Sequence, residues 1–454
     1  MAKKDKSLIL LGNSIQRLTR NQAYFNRFKS LEHWIYTETN EAYVDKELEY
    51  LGNIKNIVLR NYWKQDIYVS QSALDDIIFI AIRDFDAADV LQAIDDMVEN
   101  SHLKKNSVVI FPLHSFGFKY GGLGHLFGNR DFSYQYDNFQ ILPQSNSFDR
   151  TKKNIIKYLN DIKLFNRKNL DEDLFRHFYE SRSLKWFERN PVMLMHFKFS
   201  QQERFDNTRF ILEKINFVTN KLYFLSVLTN VEDERGALFS TRNTNSWETL
   251  DIKHFLTVTS SGARSTLNCI PVHHSNFLIG EKMHMNIDLL IRKKAISHWE
   301  KKAIDSIENL YKGYMIYKLD GNSSHAKYYR IAGSLDYFRR SVKSINKEDK
   351  IININIALES LLLDKHESNK KVKMLERIWA ALKGKINKKE NHKNIEDIIS
   401  ERNNIIHNGL PFTGDVAFND VYKTYCRLIL FLHDNISSID STKNNYLTLF
   451  YDGL

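Results

Sequence analysis

The stretch Glu401-Arg402-Asn403-Asn404-Ile405-Ile406-His407-Asn408-Gly409 closes an apolar-periodic segment near the C-terminal end of the chain. Ile395, Ile398, Ile399, Ile405 and Ile406 recur at spacings that suit one face of a helix. Gly409 stands where a left-handed cap residue stops such a helix, and Pro411 follows where a helix does not easily resume. His407 is thereby placed in the last helical turn, a position that favours cationic side chains. Imidazole is also the side chain type that exchanges a proton near neutrality. Arg402, five residues earlier, brings a guanidinium that stays charged. A cation for phosphate beside a group that gives or takes a proton is the minimum kit for cutting a phosphodiester.

Helical geometry sets a condition on this pair. Residues five apart on a straight helix point about 140° away from each other, at roughly 100° per residue. One copy is therefore not expected to aim both side chains at one phosphate unless the helix end distorts. Two copies facing across a two-fold axis would supply an Arg and a His each to a shared groove. The plainer reading pairs Arg402 with Glu401 or Glu396 on the surface and leaves His407 as a helix cap.

Two upstream segments bear on the choice. Ile356-Ala357-Leu358-Glu359-Ser360-Leu361-Leu362-Leu363 is followed by Lys373-Met374-Leu375-Glu376-Arg377-Ile378-Trp379-Ala380-Ala381-Leu382, and then by the Arg-His segment. In this order the three resemble successive helices of the Apea-like group of HEPN-domain ribonucleases, whose signature is Arg-x4-His with a polar residue after the arginine, here Asn403. The resemblance covers the last third of the chain. It implies a metal-independent endoribonuclease in which Arg402, Asn403 and His407 are catalytic and Glu359 supports the Arg-His helix. It also implies RNA as partner, a homodimer through the C-terminal helices, and no metal or cofactor. The RNA 2′-hydroxyl would be the nucleophile, so DNA would not be cut. Relatives of this group act in anti-phage defence or as toxins, and an N-terminal region answering a phage or host trigger would restrain the enzyme. The alternative is a non-catalytic HEPN dimerisation or RNA-binding module beside a ligand-sensing N-terminal domain. Inactive members usually lose the Arg or the His, and this chain keeps both.

Charge agrees with a polyanionic partner. The chain has a formal net charge of +10, and from Arg292 onward it carries 28 Lys and Arg against 20 Asp and Glu, leaving 37 against 35 before that point. A basic loop, Gly384 to His392, precedes the Arg-His helix, and its Lys385, Lys388 and Lys389 are expected to grip RNA phosphates beside the cleft. As a merely solvated loop it would have no such role.

At 454 residues the chain exceeds one ordinary core. No run reaches the roughly 20 apolar residues that span a bilayer, and the start lacks a secretory apolar region, so a cytoplasmic protein without a membrane partner is expected. Cys269 and Cys426 lack the paired spacing of zinc or redox sites and read as buried thiols.

The expected fold is α+β. Residues 1–190 read as mixed α/β and as the candidate sensor, with Ile54 to Leu59 and Ile67 to Val69 strand-like, Ala73 to Val98 helical with a break near Asp84, and Ser107 to Pro112 a buried strand. The aspartates at 84, 86, 89, 95 and 96 read as a solvated helix face rather than a metal site. A glycine loop from Gly117 to Gly128 misses the phosphate-binding spacings. Residues 191–290, including Phe210 to Val231, read as mainly antiparallel β, with His273, His274 and His284 as ordinary turn or surface histidines. Residues 291–454 read as an all-α, HEPN-like bundle with helices near 294–319, 324–345, 348–363, 369–384, 391–408 and 415–438.

Overall fold

The computed structural model describes residues 6–64, 67–69, 71–100, 105–112, 116–119, 134–136, 139–142, 148–161, 192–199, 254–261, 264–271, 283–286, 326–344, 346–364, 366–412 and 414–436, with Leu447 and scattered positions in 216–227 and 302–314. Helices predominate among these residues, and the C-terminal region is helical.

Six helices come first among the described residues: α1 (Lys6–Thr19), α2 (Gln22–Phe25), α3 (Leu31–Thr37), α4 (Glu41–Lys64), α5 (Gln71–Asp84) and α6 (Val90–Asn100). The strand reading of Ile54 to Leu59 is corrected, because these residues lie inside α4. Leu51, Ile54, Val58 and Tyr62 are all buried there, at the spacing of one helix face. A short β-branched run looked like a strand locally, and the longer period of the whole helix overrides it. Trp34 of α3 is fully buried, edge-on to Phe25 and stacked with Phe79 of α5. The expected break between α5 and α6 is present, and Asp84 there is paired with Arg83 at 2.6 Å.

Among the described residues the strands are β1 (Ile67–Tyr68), β2 (Lys105–Pro112), β3 (Phe116–Lys119), β4 (Tyr134–Tyr136), β5 (Phe139–Leu142), β6 (Val192–Phe199), β7 (His254–Ser261), β8 (Arg264–Pro271) and β9 (Met283–Asn286), with helix α7 (Phe148–Asp161) between β5 and β6. The main sheet runs β4-β5-β6-β2-β7-β8, antiparallel throughout, and β1 adds to β6 in parallel. β2 pairs with β6 from Lys105↔Phe199 to Pro112↔Val192 and with β7 around Val108↔Val258. Strands from before and after residue 190 thus share one sheet. Fully buried Val108, Val109 and Ile110 form its centre. β3 and β9 pair in parallel as a separate ribbon, which takes in Gly117 and His284. The remaining glycines of that loop, His273 and His274 lie outside the described residues. Cys269 sits on β8 opposite Leu256.

The β-reading of Phe210 to Val231 is also corrected at its described positions. Phe217, Asn220, Tyr223, Phe224 and Val227 are helical and buried, on one face. They pack on the C-terminal helices, where Phe217 stacks on Tyr311 and Phe224 meets Phe338 edge-on.

The C-terminal helices are α8 (Ala326–Lys343), α9 (Lys347–Leu362), α10 (Lys370–Leu382), α11 (Lys388–Asn408) and α12 (Phe418–Asn435), close to the ranges expected, with further helical residues at 305–311. Their core joins apolar packing to satisfied polar pairs. Ser334 and Ser341 of α8 share hydrogen bonds with Tyr425 and Tyr422 of α12, at 2.8 and 2.9 Å, and Phe338 stacks on Tyr425. Cys426 is fully buried, and its burial pushes the thiol pKa up. Among the described residues no helix is long and apolar enough to cross a membrane.

Candidate active site at the end of helix α11

Helix α11 is longer at its start than expected. Asn387 caps it, its side chain accepting from the Glu390 amide at 3.4 Å. One face, with Asn391, Asn394, Ile395 and Ile398, is buried against α9, α10 and α12. Asn391 Nδ2 donates to Thr424 Oγ1 of α12 at 2.5 Å. Ile406, read as part of the apolar face, is 45% exposed. It stands about 80° round the helix from Ile398, beyond the packed face. Gly409 ends the helix with φ of 62°, and the amides of Gly409 and Leu410 both donate to the Asn404 carbonyl. The chain beyond is anchored, because the Phe412 amide donates to Glu348 Oε1 at the start of α9.

Arg402 leaves the helix only about 40° from Ile398, so its stem starts beside the core and is half-buried. His407 lies on the exposed side. The two nevertheless meet in one chain. Arg402 Nη1 lies 3.2 Å from His407 Nε2 and donates to Asn403 Oδ1 at 3.1 Å. The expectation that one copy holds Arg and His apart is therefore corrected. The 140° argument treats side chains as radial spokes, and an arginine has enough torsions to curl along the helix surface.

The plainer pairing does not form. Glu396 pairs with Lys371 of α10 at 3.1 Å, and Glu401 packs at Gly414, where an added Cβ would lie 3.0 Å from its Oε1. Among the described residues no carboxylate pairs with Arg402, and its Nε is sheltered without an acceptor. A guanidinium so placed retains donors for an incoming anion.

Comparisons with family models, curated proteins and solved structures find no match.

Glu359, on α9, accepts from Asn355 Nδ2 of its own helix at 2.7 Å, and no bond from it reaches α11 among the described residues. It lies about 16 Å along α9 from Glu348, the residue that anchors the chain after the Arg-His turn. Lys385, Lys388 and Lys389 are exposed, but they are not beside Arg402. Lys388 opens α11 and is about 21 Å up the helix axis from Arg402, at 1.5 Å per residue. Within one chain Lys388 is therefore too far along the axis to share a phosphate with Arg402. Lys388 and Lys389 line one surface hollow with His392, Lys393, Glu390 and Glu396, and Lys388 Nζ sits 5.0 Å over the Trp379 ring.

Sequence reasoning missed Arg377. Its side chain is only 3% exposed and forks onto Glu367 at 2.5 and 2.6 Å, while also donating to the Leu362 carbonyl. That clamp ties the end of α9 to α10 and holds the Glu367 carboxyl down at about 2. An arginine in an apolar-periodic segment was the available signal.

Proposed function

We propose that the C-terminal helical region is a HEPN-like, metal-independent endoribonuclease centred on Arg402, Asn403 and His407. The observation that carries the reading is the convergence of these three polar side chains at an exposed helix end, with Arg402 paired to no carboxylate among the described residues. Phosphate would draw the guanidinium toward its non-bridging oxygens. That movement would release His407 Nε2, which can accept from Arg402 only while it carries no proton. The freed nitrogen would take the proton of an RNA 2′-hydroxyl as its oxygen attacks the adjacent phosphorus. The bond to the 5′-oxygen breaks, and a general acid protonates that leaving group. A 2′,3′-cyclic phosphate and a 5′-hydroxyl result. Asn403 Oδ1, which accepts from Arg402 Nη1, would orient the guanidinium as it turns to the phosphate.

Further parts of the proposal rest on the resemblance: a homodimer, a role in phage defence or as a toxin, and control by the N-terminal region. The test is incubation of the purified protein with total RNA in EDTA, wild type against His407→Ala. Cleavage to 2′,3′-cyclic phosphate ends by the wild type alone is expected. Cleavage that requires Mg²⁺ and leaves 5′-phosphates would overturn the mechanism.

A further inference from the structure

Helix α8 presents two different faces. Arg330, Ser334 and Ser341 bond to carbonyls of α9, at Ser360, Ala357 and Lys350. Ala332 and Asp336 each lie about 160° round the helix from Ser334. On that far side α8 and the helical residues near 220 and 311 enclose a cleft of about 270 Å³. Phe217 and Tyr311 line it, both 5% exposed and stacked at 4.0 Å. Tyr314 and Tyr329 also line it, stacked at 5.9 Å, with Tyr329 53% exposed. A Cβ added at Gly333 would meet nothing within 4 Å, so the cleft is open where α8 borders it.

The polar groups narrow the ligand. Asp336 Oδ1 accepts from Asn220 Nδ2 at 2.8 Å and faces Arg339 Nη2 at 3.7 Å, so its charge is balanced within the protein. Asn220 is 8% exposed and lines the cleft, yet among the described residues its Oδ1 receives no hydrogen bond. A buried acceptor left unmet is costly, and a ligand N–H would relieve it. The volume lies just below the 300–1,000 Å³ of sites for whole drug-sized ligands, which suits one ring system with its substituents outside. Aromatic faces for stacking and a buried amide acceptor are the requirements of a planar heterocycle with an amino group.

The geometry points to a binding site for an amino-bearing nucleobase, with adenine as the probe, carried on a free nucleotide or unstacked from single-stranded RNA. Uracil fits poorly because its ring N–H stands between two carbonyl oxygens, which would face the oxygens of Asn220 and Asp336. The inference is independent of the Arg402–His407 chemistry, since binding is measured without cleavage.

Calorimetry on full-length His407→Ala protein would compare AMP, UMP, oligo(A) and oligo(U), with tetramethylammonium as a cation probe. The adenine ligand of each pair is expected to bind about tenfold or more tightly than its uracil counterpart, the cost of leaving a buried acceptor unmet. Tyr329→Ala, which removes a stacking wall, and Gly333→Leu, which fills the cleft, should each weaken adenine binding by at least about tenfold at unchanged melting temperature. Binding of AMP marks a free-nucleotide site, and binding of oligo(A) alone marks an RNA base. Equal affinity for adenine and uracil, unaltered binding by both variants, competition by tetramethylammonium, or no binding at all would overturn the inference.

Discussion

At the scale of single residues, His407 and Arg402 have separable roles. His407 is exposed at a helix end, where loss of a side chain costs well under ~1 kcal/mol of stability. His407→Ala is therefore expected to keep its fold and RNA affinity while cleavage falls about 10²–10⁴-fold. Arg402→Ala should lose cleavage and also weaken RNA binding, because its charge meets phosphate before reaction as well as during it. A wild-type protein that binds RNA but never cuts it, with candidate triggers supplied, would favour the non-catalytic module. A different residue governs acid stability. The Arg377 fork lowers the Glu367 carboxyl from 4.5 to about 2, and the Asp364 amide and Lys373 add to the effect. A depressed folded-state value gives stability that is fully present above the unfolded value and is lost as pH falls through 4.5 toward about 2. Glu367→Gln should cost about 1.5–3 kcal/mol at pH 7, the usual worth of hydrogen bonds to a charged group, and progressively less below pH 4.5. Urea unfolding at pH 7 and pH 3 checks this, and a gap of equal size at both values would contradict it.

At the scale of elements, α11 carries basic residues at both ends. Lys388 and Lys389 sit about 21 Å or less from Arg402 along the axis, too far to touch the phosphate being cut. Lys388→Ala and Lys389→Ala should raise the Kd for long RNA and flatten its salt dependence, while leaving kcat unchanged. With a dinucleotide substrate both changes should be silent, and a drop in kcat there would place the lysines in the chemistry. Much of this helix was legible in the sequence, since the isoleucine spacing, Gly409 and Pro411 mark its end. What the sequence concealed was side-chain reach: backbone angles separate Arg402 from His407, and arginine torsions reunite them. Short β-branched or aromatic runs mimic strands at Ile54 to Leu59 and around Phe217 to Val227. In both places a helix face buries those residues, which only the tertiary partners decide. The cleft beside α8 was not legible either, since Asn220, Tyr311 and Gly333 come from distant parts of the chain.

At the scale of the molecule, the open question for the proposed reaction is the second proton. In-line attack takes a proton from the 2′-oxygen on one side of phosphorus and gives one to the 5′-oxygen on the other. One imidazole cannot reach both at once, and a guanidinium is a poor proton donor in general acid catalysis. Helical distance does not demand a second copy, because Arg402 and His407 already meet within one chain. The demand comes from proton transfer instead: His407 of a second chain, facing the first across a two-fold axis, would be the missing acid. Cleavage per chain should therefore fall on dilution, along the same curve as dimer mass measured by light scattering, while the circular dichroism of the helices stays constant. Mixing His407→Ala with wild type should lower activity by more than the fraction of variant added, since each mixed dimer loses one of its two imidazoles. Specific activity that stays level as the protein dilutes to a monomer would show that a single chain supplies both proton carriers.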